Sequence, residues 1–317
     1  MVDRPDGVSF VVPVHNKAPY LARVLDAIRA QRGTFAREYI FVDDGSTDRS
    51  LELVRELTTD WPDTTILAQE NRGSAHATNR GIERARYAFI KFVDADDLLV
   101  HDATAVLRAA LGAGSACLAF GRAVAYDAAE TPDLDSPLPR ANEADIANPL
   151  RAALKNSLFN PSQMMARTAC VLAVGGCDER VVHSQEYSLT LRLARNWPFA
   201  RIDVPVTYRP RDVPGSLGSH NGRQLRRVTM ACAHFLRDHP GLPADIARFA
   251  VRRCAARAWK FARRERGAGH LSRAFMLSLA ATFGVVRDGA AHIEACARAF
   301  DEPRPAAPRG VRAGVRP

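Results

Sequence analysis

Lysine is almost missing from this chain: 40 of its 44 basic residues are arginine. That bias reads as high genomic G+C content rather than as an arginine-specific role. Cysteine is sparse and unpatterned. Cys117, Cys170, Cys177, Cys232, Cys254 and Cys296 form no C-x-x-C pair and no tight Cys/His spacing. This argues against a zinc site and suits small core residues in a reducing compartment. Long hydrophobic runs are lacking too. The longest apolar stretch of the last third, Ala274 to Val286, is interrupted by Ser278 and Thr282 and falls short of the roughly 20 residues of a membrane span. The opening Met-Val-Asp-Arg-Pro-Asp leads straight into a strand, so no signal peptide is expected. Acidic residues are scarce at the end. Residues 221–317 hold 19 Lys+Arg against 7 Asp+Glu, a net +12, whereas residues 1–220 hold 25 against 28, a net −3. A near-neutral front and a basic back suggest two jobs.

What is present is a regular alternation. Val8 to Val14 is a β-rich run, and Leu21, Val24, Leu25 and Ile28 then recur at helical spacing. Tyr39 to Val42 is a second strand. Ser46 or Thr47 is placed to cap a helix with Leu51, Val54 and Leu57 on its buried face. Thr65 to Ala68 and Ala88 to Val93 are further strands, separated by a helix opened by Gly73 and Ser74. Such βαβ units predict a doubly wound sheet flanked by helices. Residues 127–149, rich in proline and acid, read as a long loop. Gln185 to Asn196 reads as a helix, Phe199 to Tyr208 as a strand and Pro210 to Gly222 as a loop. The expected organisation is a catalytic α/β domain over 1–222, a basic helical extension over 223–302 and a disordered tail over 303–317.

Two strands end in carboxylates. Val42-Asp43-Asp44-Gly45-Ser46-Thr47-Asp48 and Phe92-Val93-Asp94-Ala95-Asp96-Asp97 each follow an apolar run. In an open α/β sheet, ligands bind outside the carboxyl ends of the strands. Crowded carboxylates repel one another unless a cation or donor compensates. A divalent metal carrying a diphosphate would do so.

Three further pieces complete the pattern: Pro13-Val14-His15-Asn16, the segment Glu70 to Ile82, and Gly175-Gly176-Cys177-Asp178-Glu179 followed by Ser184 to Leu193. In this order the chain resembles the family 2 inverting glycosyltransferases of the GT-A fold, over about residues 7–220. The resemblance implies sugar transfer from a nucleotide-diphosphate sugar to a saccharide or lipid-linked acceptor, with cell-surface polysaccharide assembly as the family's common setting; the absence of a processive-synthase signature and of membrane helices favours transfer of a single sugar. Pro13, Val14 and Asn16 would line the nucleotide site. Asp44 would accept from the base ring N–H and Asp43 would support it or the ribose. Asn71 and Asn79 would close over the nucleotide, and Asp94 would bind the ribose. Asp94-Ala95-Asp96-Asp97 looks like the family's DxD motif. Asp96 and Asp97 would hold Mn²⁺ or Mg²⁺, with His220 as a further ligand. Glu186 would be the general base; the same carboxylate would also favour the helix dipole.

Two departures stand out. Gln185-Glu186 replaces the family's usual Glu-Asp, and Arg211 occupies the place of a metal-binding His, where it could pair with the diphosphate directly. The Gln-x-x-Arg-Trp signature of processive synthases is absent. The alternative reading is a transferase-like module that binds nucleotide or saccharide without turnover. The basic stretch Arg252 to Arg266 reads either as a helix lying on an anionic membrane or as one packed on the catalytic domain with its arginines in water. No nucleic-acid motif accompanies it. The expected location is cytoplasmic, or peripheral at the inner face of the cell membrane.

Overall fold

The computed structural model describes residues 4–112, 114–127, 130–136, 138, 143–183, 185–211 and 221–301. His220 and the tail 303–317 lie outside the described residues. The first strand, β1 (Val8–Val14), is buried along its length. Alternate residues serve two cores: Val8, Phe10, Val12 and Val14 face one, Val11 the other. Helix α1 (Ala18–Arg29) follows, then β2 (Arg37–Asp44), α2 (Ser50–Leu57), β3 (Thr64–Gln69), α3 (Ser74–Arg84) and β4 (Phe89–Phe92). Strands β1 to β4 are parallel in the order β3-β2-β1-β4. The order in which strands are added therefore reverses beside β1, and the crevice opens above the carboxyl ends of β1, β2 and β4.

Beyond β4 the sheet becomes mixed. Strands β5 (Leu98–Leu99), β6 (Leu118–Tyr126), β7 (Glu143–Ile146), β8 (Met164–Arg167) and β9 (Phe199–Pro210) complete it. β8 runs antiparallel between β4 and β6, and β9 pairs with β6, β5 and β7. Helices α4 (Ala103–Gly112), α5 (Pro149–Lys155), α6 (Thr168–Ala173) and α7 (Gln185–Ala194) flank these strands.

Two local expectations are corrected. Ser46 and Thr47 do not cap α2: Ser46 Oγ accepts from the Asn16 N–H, and Asp48 accepts from the Ser50 N–H at 2.9 Å. Residues 127–149 are not all loop, because β7 pairs along the edge of β9.

Helices α8 (Asn221–Asp238), α9 (Ala244–Arg266), α10 (Arg273–Phe283) and α11 (Gly289–Ala297) form the extension. They share one core with the sheet: Cys232, Phe235, Cys254, Ala258 and Ile293 lie in the same cluster as Val11, Phe92 and Leu189. The Tyr187 hydroxyl donates to the Ala153 carbonyl at 3.2 Å and lies 3.2 Å from Cys232 Sγ, joining α7 to α5 and α8. The apolar side of α9 (Ala250, Cys254, Ala255, Ala258) is buried. Arg253 and Arg257 donate to the Lys155 carbonyl at the end of α5. These two cations are thus turned to the protein.

Helix α3 lies tightly on β1. A Cβ at Gly81 would come within 2.4 Å of Val11 Cγ1. Gly81→Ala is expected to lower stability by about 1–3 kcal/mol through overpacking; a urea melt with an unchanged midpoint would show that the helix can shift away.

Candidate functional site

The turn after β4 is the centre of the crevice. Strand β4 carries Lys91, a charged side chain with no exposed surface, directly before the acidic turn. Its ammonium donates to the carbonyls of Phe92 at 2.9 Å and Ser162 at 2.6 Å. Burial pushes its pKa down to about 7, against the pull of Asp97 and Asp94. Ser162 also receives the backbone N–H of Asp94 on its hydroxyl, at 2.9 Å. Burial, reinforced by Asp96, pushes Asp94 up to about 7. Asp97 is raised well above the carboxylate range by burial and by Asp94 and Asp96.

Three cations answer these carboxylates. Lys91 lies below them. Lys17, just after β1, pairs with Asp96. Arg209, near the end of β9, approaches Asp97 at 3.8 Å and also acts on Asp94 and Glu186. None of the three was singled out by the sequence pattern. Arg211 does not take part: it pairs with Asp127 at 3.6 Å.

The carboxylates are not equivalent. Asp97 is only 2% exposed and approaches Arg209, yet one of its oxygens, Oδ2, has no hydrogen-bond partner among the described residues. Asp94 and Asp96 are the half-buried pair at the crevice. Among the described residues no group of three or more His, Cys, Asp or Glu side chains comes together around a metal position. Two carboxylates nonetheless fit a hard divalent cation that draws its other ligands from phosphate oxygens and water.

The β2 turn separates contact from scaffold in the same way. Asp44 accepts from Gln69 Nε2 (2.7 Å), the Arg72 N–H (2.8 Å) and the Gly73 N–H (2.8 Å). It holds the loop before α3. Asp43 accepts from the Ser46 N–H with one oxygen, while its buried Oδ1 has no partner among the described residues. Asn16, at φ +50°, accepts from the backbone of Thr47 at 2.8 Å and of Asp48 at 3.3 Å, tying the two turns together. Val14 is 1% exposed in the core on the face opposite Val11, so it does not share a wall with Pro13. Asn71 is exposed and lies 3.2 Å from His15 Nε2. Asn79 does not reach the crevice. It accepts from the Cys177 N–H at 2.8 Å and donates to the Cys177 carbonyl and Glu179.

Glu186 stands in the first turn of α7. With Pro13, Thr78, Phe92, Cys177 and Gln185 it lines a cavity of about 10 Å³, room for about one water. Burial, and then the charge of Asp94, push its pKa up to about 7. The start of α7 is pinned from two sides: Ser74 Oγ donates to Gln185 Oε1 at 2.8 Å, and the Asp178 N–H donates to Ser188 Oγ at 3.0 Å. One half-neutral carboxylate therefore faces an acidic turn across a small cleft. That arrangement can remove a proton beside a bound polyanion.

Residues 9–172, just over half of the chain, match the family model for glycosyl transferase family 2. The chain belongs to that family. It is 35% identical over 97 residues to the uncharacterized glycosyltransferase YibD of Escherichia coli K12, covering 31% of this chain and 28% of that protein. It is 31% identical over 102 residues to the poly-β-1,6-N-acetyl-D-glucosamine synthase of Staphylococcus aureus, covering 32% of this chain and 24% of that one. The match thus spans about a quarter of each relative's length. Among solved structures, S. aureus TarS 1–349 superimposes with a TM-score of 0.63 at 16% identity over 93% of this chain and 88% of that chain. The mannosyltransferase PcManGT of Pyrobaculum calidifontis, solved with GDP-Man and Mn²⁺, gives 0.55 at 22% identity over 94% and 87%. These likenesses show a shared fold, a mixed sheet flanked by helices.

Arg209→Ala is expected to weaken nucleoside diphosphate binding by about ten-fold or more, since a charge-assisted contact contributes roughly 1.5–3 kcal/mol. Arg211→Ala should change it little. Equal effects in calorimetry would remove the distinction between the two arginines.

Proposed function

We propose that this protein is an inverting, metal-dependent transferase. It moves one sugar from a nucleotide-diphosphate sugar to a hydroxyl of a saccharide or lipid-linked acceptor. The observation that carries the reading is Glu186, a carboxylate held near neutrality in a pinned helix turn, facing the acidic turn of Asp94 and Asp96. TarS solved with UDP and with UDP-GlcNAc, and PcManGT solved with GDP-Man, support a nucleotide sugar as donor.

The nucleotide would lie over the ends of β1 and β2. Among the described residues Asp43 has an acceptor oxygen without a donor, which an N–H of the base or a hydroxyl of the ribose would satisfy. Asp43 is thus the better candidate than Asp44 for the base contact. Asn71 and His15 would form the rim. Asp94 and Asp96 would hold Mn²⁺ or Mg²⁺ together with diphosphate oxygens; when bound, the ion supplies Lewis-acid neutralisation of the departing charge. Arg209 would add a fixed positive charge on the same side.

Glu186 takes the proton of the acceptor hydroxyl. The acceptor oxygen forms a bond to the anomeric carbon from the face opposite the diphosphate. The bond from that carbon to the phosphate oxygen breaks, and the electron pair leaves with the nucleoside diphosphate. A base with pKa near 7 suits this step, since about half of it is ionised at neutral pH and its basicity is matched to the working pH. The reading as a non-catalytic binding module is served by the same donor site; it differs in needing no raised Glu186.

Titrating UDP, GDP and dTDP with and without Mn²⁺ tests the donor site. One nucleotide should bind with metal and lose affinity in Asp96→Ala; no binding of any would overturn the reading. Glu186→Gln should retain nucleotide binding and lower kcat by about 10²- to 10⁴-fold. The wild-type kcat should rise with pH to a plateau with an apparent pKa of about 7. A flat profile would exclude Glu186 as the base.

The same shift predicts a stability change. The pKa of Glu186 is higher in the folded protein, about 7, than its ordinary 4.5. Its contribution is complete below 4.5 and is lost as pH rises through about 7. Glu186→Gln should therefore stabilise the protein at pH 8, by ~2 kcal/mol after discounting for partial exposure, and not at pH 4. A Tm difference that does not change with pH would contradict the raised pKa.

A further inference from the structure

Exposed apolar surface is concentrated in one place. Leu57, Leu172 and Val182 stand singly, whereas Leu271, Met276, Leu279, Phe283 and Val285 fall together on α10 and its flanking turns. Leu271 is 96% exposed, Phe283 74% and Val285 76%. Met276, Leu279 and Phe283 recur at spacings that place them on one side of the helix. The other side is occupied. Ala274 and Ala281 are buried, and Phe275 packs on Trp259 of α9 with ring centroids 5.1 Å apart. Scattered single hydrophobics need no explanation, but a cluster of this kind marks a contact surface.

Cations surround the cluster. Lys260, Arg263, Arg264, Arg266, Arg273 and Arg287 are all exposed. Glu265 is the one carboxylate between Lys260 and Arg287. Arg266 and Arg273 bracket Leu271 along the chain, and Arg287 follows Val285 by two residues. The basic stretch read from the sequence is therefore divided. Arg253 and Arg257 turn inward to cap α5, while the outer end of α9 points its charges to solvent beside α10.

We propose that α10, with its flanking turns and the outer end of α9, is a docking surface for an anionic lipid bilayer. Apolar side chains would enter the acyl boundary and the arginine stems would lie along it with their guanidinium groups among the lipid phosphates. An 11-residue helix lies in the interface rather than crossing it. Among the described residues, no helix is long and apolar enough to cross a membrane. A second copy of this chain suits the surface less well, because it would bring one basic collar against another. Vesicle binding needs neither nucleotide nor turnover, so this inference stands apart from the transferase reading.

The test is co-sedimentation of the full chain with vesicles of phosphatidylcholine alone and of phosphatidylcholine with about a third phosphatidylglycerol. The wild type should bind the anionic vesicles, weakly or not at all the neutral ones, and less as salt rises. Leu271→Asp with Phe283→Asp, and separately Arg263→Glu with Arg264→Glu, should each weaken partition by about ten-fold or more. The altered side chains are exposed, so an unchanged Tm should accompany the loss. No vesicle binding by the wild type, equal binding to neutral vesicles, or variants that bind as the wild type does would each overturn the proposal. So would a light-scattering mass that falls from dimer to monomer in Leu271→Asp with Phe283→Asp, since it would identify a second copy as the occupant.

Discussion

Charge compensation around the turn after β4 is the constraint on which this structure depends. Asp94, Asp96 and Asp97 are crowded at a strand end where burial disfavours ionisation. Removing the partner of a buried charge costs about 3–5 kcal/mol. Lys91 meets that demand from below, and its position follows from strand parity. Phe92 faces one side of β4 in the core with Phe120 and Met164, so its neighbour Lys91 faces the other way, toward the backbone of Ser162. Lys17 answers from the end of the neighbouring strand β1, and Arg209 from β9, which pairs with β5 just beyond the turn. The compensation is incomplete: Asp94 is pushed up to about 7, and an oxygen of Asp97 has no hydrogen-bond partner among the described residues. An incoming cation or donor therefore finds a site already formed and short of positive charge.

The same economy divides residues of like type into scaffold and contact. Asp44, Asn16 and Asn79 each sit in a motif that points to nucleotide binding, and each is occupied by backbone groups of a neighbouring loop. Their work is to hold those loops over the strand ends. Asp43 carries an oxygen left without a partner among the described residues. Sequence spacing locates such residues at the crevice. It does not say which lone pairs remain free, since that depends on loops far away in the chain.

The strand and helix pattern was legible wherever apolar periodicity was strong. Val8 to Val14 and Leu21 to Ile28 are examples. β7 was not, because Glu-Ala-Asp-Ile carries no strand signature and owes its form to pairing with β9. The cations were also hidden. Lys91 reads as an interruption of an apolar run, and only the fold shows what lies beneath it. Arg209 was passed over for Arg211. The two differ by two residues, about 7 Å along an extended strand. β9 continues through Pro210, so Arg209 remains beside the acidic turn and Arg211 arrives at Asp127.

The helical extension belongs to the same physical account. The proposed general base must keep both its pKa and its place, and the second requires a rigid support. Tyr187, next to Glu186, is locked between α5 and α8. Arg180 pairs with Asp178 at 2.8 Å and with Asp238 at the end of α8, so the loop before α7 is tied to the extension as well. Arg253 and Arg257 then fix α5 against α9. Helices α8 and α9 thus turn their inward faces to the support of α7. Helix α10 packs on α9 and α11 and leaves a large apolar face open. Support of α7 and exposure of an apolar face thereby fall to different helices. A change on the exposed face of α10 would test the proposed membrane contact without disturbing Glu186.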